Sequence, residues 1–141
     1  MTASSTKQPT TPTAEHPLFI CYSRCSTCAK ARTWLRDHNV DFTERDIKED
    51  RPTQDELTAW LDMSGLPVRR FFNTSGQAYR SQGLSKRLPQ MDTEQALQLL
   101  STDGMLVKRP ILLDGRHVLV GFRQQQWEDW LADTNENSHN S

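Results

Sequence analysis

The sequence predicts an α/β fold: a mixed four-stranded sheet with flanking helices and a helical insertion. Three observations predict it. A strand, a tight turn, a helix and a second strand fit into residues 18–47. A helix start with capping-box spacing and a second cap-like start follow in the middle of the chain. A strand–turn–strand–helix pattern then closes it.

LFICY (18–22) is a short apolar, β-prone run and reads as a buried strand. In the helix that follows, Ala29, Ala31, Trp34, Leu35 and His38 recur at helical spacing, with Lys30, Arg32 and Arg36 facing elsewhere. Asn39 is the stop signal. VDFTERDI (40–47) sets Val40 and Phe42 against Asp41 and Thr43, the alternation of a half-buried strand. Two strands joined through a helix pair in parallel. Thr53 and Glu56 are spaced for a capping box ahead of Leu57, Trp60 and Leu61. GLPVRRFFNTSG (65–76) opens with a break, closes with a turn signal and holds a short helix. Asp92 starts another helix carrying Ala96, Leu97, Leu99 and Leu100. Ile111–Leu113 and Val118–Val120 flank Asp114-Gly115, a hairpin signal. Trp127, Trp130 and Leu131 mark a last helix after Arg123. The order βαβ, helical insertion, ββα is that of a thioredoxin-like fold.

The chain has 141 residues, enough for one domain with a modest core. Residues 1–16 and 133–141 are polar and expected to be disordered tails, leaving an ordered domain over 17–132. Net charge is −1, which gives no push toward direct nucleic-acid or membrane binding. Neither a signal-peptide h-region nor a membrane-spanning run is present. All three cysteines fall within residues 21–28, unlike the spread pairs of a secreted disulfide scaffold. The expected compartment is the reducing cytoplasm. Nothing in the sequence demands oligomerisation, so a monomer is expected.

The segment CYSRCSTC (21–28) admits several readings. Cys25-Ser26-Thr27-Cys28 lies at the strand-to-helix turn. Unpaired N–H groups and the macrodipole at a helix start stabilise an anion. A thiolate is such an anion, which makes Cys25 the candidate nucleophile, with Ser26 and Thr27 supporting it and Arg24 beside it. Cys28, one turn on, can resolve a mixed disulfide by attacking Cys25. The alternatives are inert core thiols, a zinc site and an iron–sulfur site on Cys-x3-Cys-x2-Cys. Zinc needs about four ligands, and the distant histidines lack finger spacing. Cys21 falls inside the apolar strand, where a free cysteine packs into the core. No metal and no bound cofactor is expected.

Between Met63 and Met91 there are five cations and no carboxylate. Arg80, Lys86 and Arg87 read as a solvated face. Arg69, Arg70 and Arg109 border apolar segments, where the chain folds back on its core. Arg109-Pro110 precedes a strand, and X-Pro is the bond at which a cis peptide costs little. A guanidinium beside Cys25 would hold an oxyanion or a glutathione carboxylate in two-point contact.

ICYSRCSTCAKARTWL, VRRFF and LVKRPILL with VLVGF resemble the ArsC/Spx family of bacterial thioredoxin-fold proteins, over residues 17–132. The resemblance implies a thioredoxin core with a helical insertion and a catalytic Cys25. One branch reduces arsenate held by three arginines, with glutathione and glutaredoxin, or thioredoxin, as electron donor. Its first two arginines fall on Arg69 and Arg109, and its third falls near Gly121, with Arg123 two positions on. That branch usually lacks the second cysteine, present here as Cys28. The other branch uses its CxxC as a redox switch and binds the C-terminal domain of the RNA polymerase α-subunit. The glycine of that contact corresponds loosely to Gly65. The implied function is an arsenate reductase-like thiol oxidoreductase acting on a small oxyanion or a thiol/disulfide, or alternatively a redox-sensing regulator.

Overall fold

Four strands order as β2-β1-β3-β4 in the computed structural model, which describes residues 12–140. β1 (Leu18–Cys21) pairs in parallel with β2 (Thr43–Asp46), and α1 (Ser26–Asp37) connects them. β3 (Ile111–Leu113) lies antiparallel to β1, and β4 (Val118–Val120) antiparallel to β3. This is the mixed sheet of a thioredoxin-like fold. Most of the chain bearing the expected N-terminal tail lies outside the described residues. His16 is an exception: its Nε2 lies 2.7 Å from Thr43 Oγ1, beside the edge strand.

The period-2 alternation of strands divides the core. Ile20, Ile111, Leu113, Val118 and Val120 face one side, toward α2 (Gln54–Ser64) and α5 (Thr93–Leu100). Phe19, Cys21, Leu112 and Leu119 face the other, toward α1 and α6 (Gln124–Asn140). α1 buries Cys28, Ala31, Trp34 and Leu35. Ala29 and His38, read from sequence onto that face, are exposed, because the face rotates to put Cys28 inward. Asn39 stops the helix in the left-handed region, φ 57°. Both capping boxes form, Thr53 with Glu56 and Asp92 with Gln95.

The insertion is more helical than expected. It runs through a 3-10 turn (Val68–Phe71), α3 (Gln77–Ser81), α4 (Leu84–Arg87) and a second 3-10 turn (Leu88–Gln90). β2 is shorter than expected, because Val40 and Phe42 lie ahead of it and pack against the α1–α6 layer. The last helix runs to Asn140, into the segment read as a disordered tail.

Two junctions fix the parts that meet at the site. Phe72 bridges Val107, and Lys108 N–H donates to Phe71 O at 2.8 Å, so the Val68–Phe71 turn is tied to the approach to β3. Gly104 sits against the end of β2: a Cβ there would lie within 2.0 Å of Ile47 O, so only glycine fits without a shift. The β3–β4 hairpin is pinned to α6 by Asp114, a buried carboxylate. It accepts from the backbone N–H groups of Arg116 and His117 and, at 2.7 Å, from Trp130 Nε1.

Candidate functional site

Cys25 is the N-cap residue of α1, extended at φ −96° and ψ 120°. Its side chain makes no capping hydrogen bond. Burial opposes its ionisation. The Cys28 N–H and thiol, the Arg109 charge and the Thr27 N–H outweigh burial and hold its pKa below the ordinary 9.0. The thiolate thus receives the charge stabilisation that a helix start supplies.

Cys28 is buried one turn along the helix, and all three cysteines are free thiols. Tyr22 N–H donates to Cys28 Sγ at 3.2 Å. The neighbouring Cys21 sulfur and then burial push the Cys28 pKa far up, opposite in direction to Cys25, so this sulfur keeps its proton. Cys21 is buried in the same layer, as its place in the strand predicts. Its sulfur is nevertheless not in purely apolar surroundings. It donates to Glu44 Oε2 at 3.1 Å and accepts from an Arg32 terminal nitrogen at 3.2 Å.

Cys25 opens onto a cleft of about 570 Å³. Arg24, Arg69, Arg70, Lys108, Arg109 and Arg123 line it, and among the described residues no carboxylate does. Arg109 is held over the Tyr22 ring at 5.2 Å, and its buried Nε has no hydrogen-bond partner among the described residues. The Arg109–Pro110 peptide is cis. Gly121, near which the resemblance puts a third arginine, has φ 80°, and Arg123 two positions on also lines the cleft. A Cβ on Gly121 would lie 3.0 Å from Lys108 Cε. The lysine stem therefore covers the space beside that position.

Of the residues singled out from sequence, Cys25, Ser26, Thr27, Arg69 and Arg109 meet in this cleft. Cys28 lies buried behind Cys25. Pro110 is buried at the start of β3 and does not line the cleft; its carbonyl accepts from Gly121 N–H at 2.7 Å. Sequence reasoning missed the Asn73–Gly76 loop, Lys108 as a lining cation, and Tyr22 and Phe122. The polar Asn-Thr-Ser-Gly run after two buried phenylalanines was the available signal, and it was read only as a turn. Among the described residues no group of three or more His, Cys, Asp or Glu is placed to hold a metal ion. Among them, too, no helix is long and apolar enough to cross a membrane.

Known proteins share this arrangement of elements. The sequence profile of the ArsC family matches residues 21–130. Uncharacterized protein YusI of Bacillus subtilis is 44% identical over 111 residues, 79% of this chain and 94% of its own. Regulatory protein MgsR of the same organism is 29% identical over 104 residues, covering 74% and 81%. The crystal structure of an ArsC family related protein from Bacteroides fragilis superposes with a TM-score of 0.79. It is 50% identical, covering 81% of this chain and 96% of that one. With the profile spanning most of the folded domain, this chain belongs to the ArsC family.

Proposed function

We propose that this protein is a thiol oxidoreductase with Cys25 as nucleophile and Cys28 as resolving thiol. The observation that carries the reading is the pairing of a stabilised, accessible Cys25 with a protonated, buried Cys28 at a cleft whose charged lining, among the described residues, is cationic. The Cys25 thiolate attacks one sulfur of a disulfide, breaking the S–S bond and expelling the other half as a thiolate, or attacks the central atom of a protonated oxyanion, expelling one oxygen as water. Cys28 then attacks Cys25 Sγ, losing its proton. The Cys25–substrate bond breaks, its electron pair leaves with the reduced fragment, and a Cys25–Cys28 disulfide remains. A thiol donor of the glutathione, glutaredoxin or thioredoxin class restores the two thiols.

Cleft size and charge favour an anionic thiol or disulfide of glutathione size over a bare oxyanion. A cleft of about 570 Å³ is in the range that holds an extended ligand. Arg109 and Arg69 suit two carboxylates, with Lys108 as a point charge. The test compares reduction of glutathione disulfide by thioredoxin, and of arsenate by glutathione and glutaredoxin, between wild type and Cys25→Ser. Cys25-dependent turnover of the disulfide is expected. Equal, negligible rates on both substrates would refute the enzyme.

A second reading, a redox-switched regulator, is favoured by one feature. Gly65, the left-handed cap that ends α2, is exposed, and Met63 beside it is an exposed large apolar side chain. Here the Cys25–Cys28 disulfide would alter the start of α1 and the affinity for the RNA polymerase α-subunit. A pull-down against that subunit, in oxidised and reduced states, tests it. Absence of binding in both states removes this partner.

A further inference from the structure

We propose that Cys21 is a second resolving thiol, which takes the disulfide inward from Cys25–Cys28 to Cys21–Cys28. This rests on the oxidoreductase reading above and deepens it. Three observations carry it. Cys21 ends β1 and packs in one layer with both Cys25 and Cys28. The next backbone N–H, from Tyr22, donates to Cys28 Sγ at 3.2 Å, so the chain at Cys21 lies directly against that sulfur. The third concerns the partners of Cys21. A core cysteine whose only role is packing needs apolar neighbours, yet this one touches a carboxylate at 3.1 Å and a guanidinium at 3.2 Å.

Those two groups form an ion pair at 2.8 Å that reaches solvent, the Glu44 side chain being 41% exposed. They supply what a buried thiol lacks for attack. Glu44 Oε2 is the acceptor already on the Cys21 thiol and leads its proton toward solvent as the sulfur attacks, while the Arg32 nitrogen stays on the sulfur. The exchange step is balanced without any oxidant. Cys21 Sγ attacks Cys28 Sγ, the Cys21–Cys28 bond forms, the Cys25–Cys28 bond breaks, and Cys25 leaves with the electron pair as a thiolate. Leaving groups of low pKa depart faster, and Cys25 sits where a helix start stabilises its anion. The nucleophile returns to its reactive form while two oxidising equivalents are stored in the core.

The sequence makes the test direct. Trypsin cuts after Arg24 and Lys30, so a Cys25–Cys28 bond stays within one peptide and a Cys21–Cys28 bond joins two. The full-length reduced protein is treated with one equivalent of hydrogen peroxide and quenched in acid at intervals. Free thiols are then alkylated at low pH and the digest is read by mass spectrometry. The expected record is Cys25–Cys28 first, then Cys21–Cys28 with Cys25 alkylated. Cys21→Ala is expected to stop at the first bond, and Glu44→Gln to slow the second phase about tenfold or more. Persistent Cys25–Cys28 with Cys21 alkylated throughout would overturn the relay and leave the oxidoreductase standing. Absence of both bonds would overturn the oxidoreductase and the relay together. A second phase unchanged by Glu44→Gln would overturn the carboxylate's part in it.

Discussion

Asp114→Asn is the sharpest test of how the hairpin and the last helix hold each other. Asp114 accepts on one oxygen from the N–H groups of Arg116 and His117, and on the other from Trp130 Nε1 at 2.7 Å. His117 Nδ1, 3.0 Å from that second oxygen, is a fourth partner; the two backbone N–H groups and the indole N–H all donate, so an acceptor-only carboxylate satisfies them. Asparagine keeps the shape but replaces one oxygen with NH2. In either orientation that NH2 faces at least one of these donors. With the NH2 toward Trp130 the indole loses its bond, and at 4% exposure water cannot restore it; with the NH2 toward the turn, the Arg116 and His117 N–H groups both lose their acceptor. Leaving one buried donor unpaired costs about 1–3 kcal/mol, and the lost charge assistance adds about 1 kcal/mol. The expected loss is about 2–4 kcal/mol. The assay is urea unfolding followed by tryptophan fluorescence. The acid limb supplies a second readout. Burial opposes ionisation of Asp114, but its bonds to Trp130, His117 and the Arg116 N–H outweigh burial and hold its pKa below the ordinary 3.8. Its contribution is therefore complete above pH 3.8 and is lost as pH falls through the lower folded value. The variant should show less stability loss across that window. A change under about 1 kcal/mol at neutral pH would refute the pinning argument.

Other expectations follow from the same geometry. At pH 6, Cys25 should alkylate faster than Cys21 or Cys28, and Arg109→Gln should slow it several-fold by removing a charge that favours the thiolate; mass mapping after a short iodoacetamide pulse reads both. Gly104→Ala should cost about 1–3 kcal/mol in urea unfolding, because the clash is with the Ile47 backbone and no side chain can swing away. Cys28 has a raised folded pKa, so its contribution is complete below pH 9.0 and is lost as pH rises past it. Cys28→Ala should flatten the alkaline limb of the stability profile. Raising salt should slow reaction with glutathione disulfide more than with the neutral hydroxyethyl disulfide, since only the former is drawn by the cationic wall.

What could be read from sequence was what local physics determines. The CxxC lies at a helix start because an apolar strand runs into an alanine-containing amphipathic segment, and both facts are within eighteen residues of each other. The capping boxes and the Asp-Gly hairpin are likewise local signals, and all three formed. The short helices α3 and α4 were not legible, because QAYRS and LSKR are too brief to show a period. Leu84 stabilises that region through burial against the core, which is a tertiary fact. The partners of Cys21 were hidden for the same reason. Alternation along LFIC says only which face the sulfur takes, whereas Glu44 comes from a different strand and Arg32 from the helix between them. The Asn73–Gly76 loop joined the cleft through a backbone ladder to residues 106–108, with no signature of its own.

The net charge of −1 excluded a general attraction to polyanions, yet the cleft carries six cations and, among the described residues, no carboxylate. The two observations agree because charge is sorted in space. Arg32 and Arg45 are paired with Glu44 and Glu56 at 2.8 Å, on the β2 side of the molecule. The arginines of the Val68–Phe71 turn and of the Arg109 approach to β3 are left facing the cleft. Screening acts over about 8 Å at physiological ionic strength, so distant carboxylates do little to cancel that field. The same sorting bears on the position where the resemblance expects a third arginine. A planar guanidinium there would add a second two-point clamp suited to a compact oxyanion. Gly121 carries no side chain for such a clamp, Lys108 covers the space with one charge that lacks its directionality, and Arg123 lines the same cleft two positions on. Under the proposed oxidoreductase reading, a cleft that draws anions through spread cations rather than through a compact guanidinium clamp suits an extended, flexible anionic thiol at Cys25 better than a small oxyanion.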